Sequence, residues 1–125
     1  MDIAQVRWFL LEREERRRQV REQARRQLIA QLKQILEEVL PSFPVERAYL
    51  YGSVLTGRWH PESDLDLAVE GNLSPEEFFR LWIELDRRLE PEVDLRELEK
   101  LPFREKVQRE GMVVYVKKGL FFLVR

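Results

Sequence analysis

The chain has 125 residues, 44% of them hydrophobic and 36% charged, with a net charge of −1 and no cysteine. That is enough for one domain with a real core, and it excludes a disulfide framework and a cysteine-ligated zinc. The balanced charge gives no strong nucleic-acid footprint, and no apolar run approaches the roughly 20 residues needed to span a bilayer. The start, MDIAQVRWFLLERE, does not read as a signal peptide, and with no cysteine the chain fits the reducing cytoplasm.

From about Ile3 to Leu40 there is no Gly or Pro, and Arg, Glu, Gln and Leu dominate. These are good helix formers. A helical apolar period is clear only in the second half: Val20, Ala24, Leu28, Leu32, Ile35 and Val39, widened by Ile29 and Leu36. Glu12 to Gln19 contains no apolar residue at all. One continuous helix would be roughly 55 Å long, more than the remaining chain can cover. Trp8, Phe9, Leu10 and Leu11 form a second apolar cluster beyond the bare stretch. Either the chain breaks there, or the helix projects and meets something else: a protein partner or a second copy.

Pro41, Ser42, Phe43 and Pro44 end this arm. VERAYLY alternates as a strand from Val45 to about Tyr51, and Gly52-Ser53 turns into VLTGRWHPES. DLDLAVEG is a second strand. Ser74 and Pro75 supply the cap and first-turn proline of a helix. In that helix Phe78, Phe79, Trp82 and Leu85 read as core. PEVDLREL gives a third strand, FREKVQREG a short helix closed by Gly111, and MVVYV a last strand. GLFFLVR reads as a further strand after a Lys117-Lys118-Gly119 turn. The expected class is α+β: a small mixed sheet with helices packed on it. Residues 1–40 form the helical arm and residues 41–125 a single globular unit.

Two acids interrupt an apolar strand. Side chains alternate along a strand, so Asp64 and Asp66 project to one face about 7 Å apart, while Leu65 and Leu67 face the packed side. Unpaired carboxylates are expensive to bury, so a cation or solvent must be near. Two carboxylates at this spacing suit Mg²⁺, a hard ion that keeps waters and accepts phosphate oxygens. Gly52 allows a backbone bend and close approach, and Ser53 adds a hydroxyl and an N–H, which together can bind a phosphate tail. Asp94, between Val93 and Leu95, adds a third carboxylate from a neighbouring strand. Such a site fits in-line phosphoryl or nucleotidyl transfer.

The pattern Gly52-Ser53, Gly57, then Ser63-Asp64-Leu65-Asp66-Leu67, with Asp94 later, resembles the minimal nucleotidyltransferases of the DNA polymerase beta superfamily. The resemblance covers roughly Val45 to Tyr115 and implies a polymerase-beta-like fold preceded here by the arm. It implies Mg²⁺-dependent transfer of a nucleoside monophosphate, AMP from ATP, to an acceptor hydroxyl. In the family the paired acids hold the metals, two ions in all. The third acid completes that metal site and activates the acceptor, and the Gly-Ser turn binds the triphosphate, with Ser63 beside it. Asp64, Asp66 and Asp94 are therefore the expected catalytic and metal residues, and Gly52, Ser53 and Ser63 the expected nucleotide-binding ones. Several members pair, as antitoxins, with a small helical HEPN-type toxin. This chain departs from the family in having Leu55-Thr56 where an Ala-Arg pair is common, with Arg58 just after Gly57.

Two functional classes follow. One is an active nucleotidyltransferase, which accounts for all three acids being present. The other is a nucleotide-binding antitoxin or regulatory subunit that works by occlusion. His60, the only histidine, reads as a loop residue. The Arg16-Arg17-Arg18 run, balanced by Glu12, Glu14 and Glu15, reads as a solvated helix face.

Overall fold

Helix propensity carries straight through the bare stretch. In the computed structural model, which describes residues 1–119, helix α1 runs unbroken over Ile3–Val39. Of the two outcomes the sequence allowed, the helix projects. Its start is fixed by a capping box: Asp2 accepts from the Gln5 N–H at 2.8 Å, and Gln5 returns a bond from the Asp2 N–H at 3.0 Å. Within the bare stretch Glu14–Arg17 and Glu15–Arg18 pair one turn apart, in the acid-first order that suits a helix. Residues 3–21 are exposed throughout, Trp8 and Leu11 by about two-thirds. Burial begins inside the apolar stripe, not at its start: Val20, read as its first member, is 67% exposed, and Ala24 is only partly covered. Leu28, Ile29, Leu32, Ile35, Leu36 and Val39 all enter the core.

After a 3₁₀ turn at Leu40–Ser42, the chain forms strand β1 (Val45–Tyr51), a second 3₁₀ turn (Gly52–Leu55) and strand β2 (Leu65–Gly71). Helix α2 (Pro75–Arg88) opens on a second capping box, Ser74 with Glu77, and proline at its start. Strand β3 (Val93–Glu97), helix α3 (Arg104–Glu110) and strand β4 (Met112–Val116) complete the described residues. The further strand expected in GLFFLVR falls on residues 120–125, outside the described residues.

The sheet order is β3-β2-β1-β4, so the first strand is central. β1 is antiparallel to both β2 and β4, and β2 is parallel to β3. A parallel pair cannot be joined by a hairpin; here α2 makes the crossover. The strands alternate except at the register shifts of β1, between Val45 and Arg47 and between Ala48 and Tyr49. Val45, Ala48, Leu50, Leu65, Leu67, Val69, Val93 and Leu95 face α1 and α2 in the main core. Tyr49 and Ala68 face the other way, packing with Leu98, Leu101 and Val107 under α3. The odd-numbered residues of β2 thus fill the core, and Asp66, on the even set, is turned to the α3 side.

On α2, Leu81 and Leu85 are fully buried and Phe78 and Trp82 are partly so, but Phe79 is 58% exposed. It lies stacked on Trp82, ring centroids 6.4 Å apart and 8° from parallel. The core needs only one stripe of this helix, so a second aromatic beside Phe78 is left outside it.

Candidate active site

One row of residues crosses three strands. Tyr51 on β1 is paired with Asp66 on β2, and Asp66 with Asp94 on β3. Because β2 and β3 are parallel and in register, the two carboxylates start from adjacent backbone positions on the same face. Asp64 lies just before β2 begins and is exposed, whereas Asp66 and Asp94 are half-buried. All three sit where β2 and β3 start and β1 ends. The strand register brings together Asp66 and Asp94, and the loop before β2 brings Asp64 to the same end of the sheet.

Gly52 closes this end. Its φ is +81°, and a Cβ there would lie 2.2 Å from Asp66 Oδ2. The position needs glycine twice over, for the backbone angle and for the carboxylate resting against its Cα. Ser53 follows in the same 3₁₀ turn and is partly exposed. Its carbonyl accepts from both the N–H and the hydroxyl of Thr56, each at 3.0 Å. Ser63 is committed locally: its hydroxyl accepts from the His60 N–H at 3.2 Å, and its N–H donates to the His60 carbonyl at 2.9 Å. That bond braces the loop that delivers Asp64. His60 itself is exposed, as a loop residue should be.

Charge is concentrated here without full compensation. The Asp66 carboxyl is pushed above its ordinary value, first by burial, then by the negative charges of Asp94 and Asp64, with Arg96 opposing. The Tyr51 hydroxyl is pushed up to about 12, again by burial first and then by Asp66 and Asp94. Arg96, two residues along the same strand face, donates from Nε to Asp94 Oδ1 at 2.9 Å. With Asp94 turned onto Arg96, no three acid, histidine or cysteine side chains among the described residues form a ready-made metal shell.

Beside the acids lies a cavity of about 700 Å³, lined by Tyr51, Gly52, Leu55, Thr56, Phe103, Lys106 and neighbouring α3 residues. Phe103 meets the Tyr51 ring edge-on, centroids 5.9 Å apart. The cavity has the size of a small-ligand cleft, with mostly apolar walls and a few polar groups. Sequence reasoning named Gly52 but missed the wall residues on the α3 side, Phe103 and Lys106, since nothing in FREKVQREG marks it as facing a site. It also missed Arg96, although an arginine two residues from an acid on a strand must share its face. Trp59, in the loop between the turn and β2, was missed as core: it is 6% exposed and anchors that loop beneath α1. Its Nε1 finds no partner among the described residues.

Known proteins share this fold. Among curated proteins none matches the chain by sequence. A chain of a toxin–antitoxin complex with AMP-PNP superposes with a TM-score of 0.57 at 24% identity, over 76% of this chain and 78% of that one. A chain of the complex between tri-AMPylated Shewanella oneidensis HEPN toxin and MNT antitoxin gives 0.53 at 20% identity, over 79% and 78%. A protein from Sulfolobus solfataricus, assigned as a nucleotidyltransferase, gives 0.52 at 20%, over 78% and 87%. Likeness at this identity establishes the fold. The sequence model described as Polymerase beta, Nucleotidyltransferase matches residues 19–119, a span that holds the Gly-Ser turn, all three acids and the cavity wall, so the chain is a member of that nucleotidyltransferase family.

Proposed function

We propose that this protein transfers AMP from ATP to a hydroxyl on a partner protein, with Mg²⁺ held by Asp64, Asp66 and Asp94. The observation that carries the reading is the in-register pair Asp66–Asp94 with Gly52 closed against it. The donor set fits the ion: hard carboxylate oxygens for a hard divalent cation, and an Asp66 carboxyl already raised, first by burial and then by the negative charges of Asp94 and Asp64. When bound, Mg²⁺ would neutralise charge on the phosphate oxygens.

The chain's own residues supply the rest. Asp64 and Asp66 hold the nucleotide's metal, and the turn at Gly52 and Ser53, with Ser63 bracing its loop, receives the triphosphate. The adjacent cavity, with Lys106 on its wall, accommodates the remainder of the nucleotide. Asp94 takes the proton of the acceptor hydroxyl as its oxygen bonds to the α-phosphorus and pyrophosphate departs. Arg96 holds Asp94 in place through its Nε hydrogen bond to Oδ1; Asp94 would share the ion with Asp64 and Asp66 when Mg²⁺ is bound. The acceptor is bound partly by another chain, because a domain of this size leaves little room for an acceptor pocket of its own. The arm, residues 3–21, is the surface that chain engages. A HEPN-type toxin is the partner chemistry favoured by the AMP-bearing toxin in the similar complex.

Two measurements test this. Calorimetry should detect ATP binding with Mg²⁺ and not with EDTA, and Asp64→Asn combined with Asp66→Asn should abolish it while the fold persists. Mass analysis of proteins co-purified from the native cell should find one whose mass has grown by one nucleotide or more. Equal ATP affinity with Mg²⁺ and with EDTA would overturn the metal-dependent reading.

A further inference from the structure

Among the described residues, one side-chain hydrogen bond joins helix α1 to the nucleotide turn. Arg25, on the turn of helix where burial begins, donates from Nη1 to the carbonyl oxygen of Val54 at 3.0 Å, across 29 residues of sequence. Its other nitrogens are held by Glu22, Nε to Oε2 and Nη2 to Oε1, both at 2.9 Å. This is a fork-to-fork pair, which fixes the guanidinium plane and aims the remaining nitrogen in one direction. The Arg25 side chain is 23% exposed, so the arrangement is largely covered.

The Val54 carbonyl needs that donor. In the 3₁₀ turn the N–H and hydroxyl of Thr56 both go to the Ser53 carbonyl, one residue earlier. Val54 is 1% exposed, and a carbonyl left unpaired there would be costly. Water or a lysine would satisfy a carbonyl as well. A guanidinium locked by a carboxylate does more, because it holds the turn at a set distance from the helix. The neighbouring Arg26 also pairs with Glu22, at 3.2 Å, but is 77% exposed and reaches no residue of the turn.

We propose that Arg25, locked by Glu22, is a positioning residue for the nucleotide: it fixes the Gly52–Leu55 turn from behind. Gly52 then stays closed on Asp66, and the Ser53 side chain stays presented to the phosphate tail. This rests on the reading of that turn as the triphosphate cradle. The brace is charged at every working pH, since the Glu22 carboxyl is lowered to about 2, chiefly by its hydrogen bond from Arg25.

Calorimetry with ATP and Mg²⁺, using the full chain, tests it. Arg25→Ala should raise the Kd about tenfold and leave kcat at saturating ATP within about threefold. Arg25→Lys should recover part of the loss, because an ammonium can still donate to Val54, and Arg26→Ala should match wild type. If Arg25→Ala does not fold, Glu22→Ala carries the test, with a two- to fivefold rise in Kd expected and no change overturning the proposal. Wild-type affinity in a folded Arg25→Ala, or equal losses in Arg25→Ala and Arg26→Ala, would also overturn it. A wild-type protein that binds no ATP would instead remove the cradle reading, and this inference with it.

Discussion

The acid end of the sheet and the exposed end of α1 spend their charged residues in opposite ways. At the acid end, register places Asp66 beside Asp94, glycine admits the Asp66 carboxylate, and each neighbour alters the next one's charge. Residues 3–21 are exposed, and among the described residues their acids and arginines pair only with their own helical neighbours. Substitutions at the first region should therefore be expensive in chemistry or stability. At the second they should be silent until another molecule is present.

The sharpest test of the acid end is Asp94→Asn. It should cut nucleotide transfer by about a thousandfold while Mg·ATP binding stays within a few fold, as expected of a group acting mainly in the transition state. Pyrophosphate release measures the first quantity and calorimetry the second. Next comes the covered half of α1. Leu36→Ala empties a fully buried position and should cost about 2–5 kcal/mol in denaturant unfolding. Gly52→Ala should cost about 1–3 kcal/mol from its backbone angle, and more once Asp66 is displaced. Gly57→Ala, with nothing within 4 Å of the new Cβ, is the neutral control.

A smaller effect follows from the raised Asp66 carboxyl. Between its unfolded and folded pKa values the folded state binds more protons than the unfolded one, so stability falls as pH rises through that window. Asp66→Asn should remove the fall. In wild type, Mg²⁺ should raise the Tm near neutrality and lose its effect as pH drops into the ordinary carboxylate range. The smallest effect is at the arm: Leu10→Ala should change stability by less than about 0.5 kcal/mol. The same substitution should weaken association in light scattering or partner pull-down. A large loss of stability there would show that the arm is covered by its own chain.

The acids were legible because their signal is local, a carboxylate set between apolar strand residues; that Asp66 lies beside Asp94 was settled only by the order of strands in the sheet. The bounds of β1 and the Ser74 cap were legible for the same reason, each depending on residues a few positions apart. What could not be read depends on distance. Arg25 reaching Val54, Trp59 folding under α1 and Phe103 meeting Tyr51 are all set by packing between remote segments. Phe79 shows the limit of period alone, since the pattern gives the apolar stripe but not how wide a stripe the sheet will cover. The unbroken α1 shows the converse. A helix needs no apolar face where propensity and ion pairs one turn apart suffice, so the bare stretch marked the end of burial and not the end of the helix.

The Asp2–Gln5 capping box sits at the far tip of roughly 28 Å of uncovered helix. A segment that ordered only on meeting its target would lose conformational entropy at that moment. A rod finished at its tip has lost most of it in advance. On the proposal that the arm is the partner-binding surface, it would meet that partner pre-shaped, and the affinity of Trp8, Phe9 and Leu10 for a complementary groove would not be spent on folding the helix that carries them. Replacing Asp2 with alanine would let the first turn fray. That change should slow capture of the partner while leaving the catalytic end, a whole helix away, untouched.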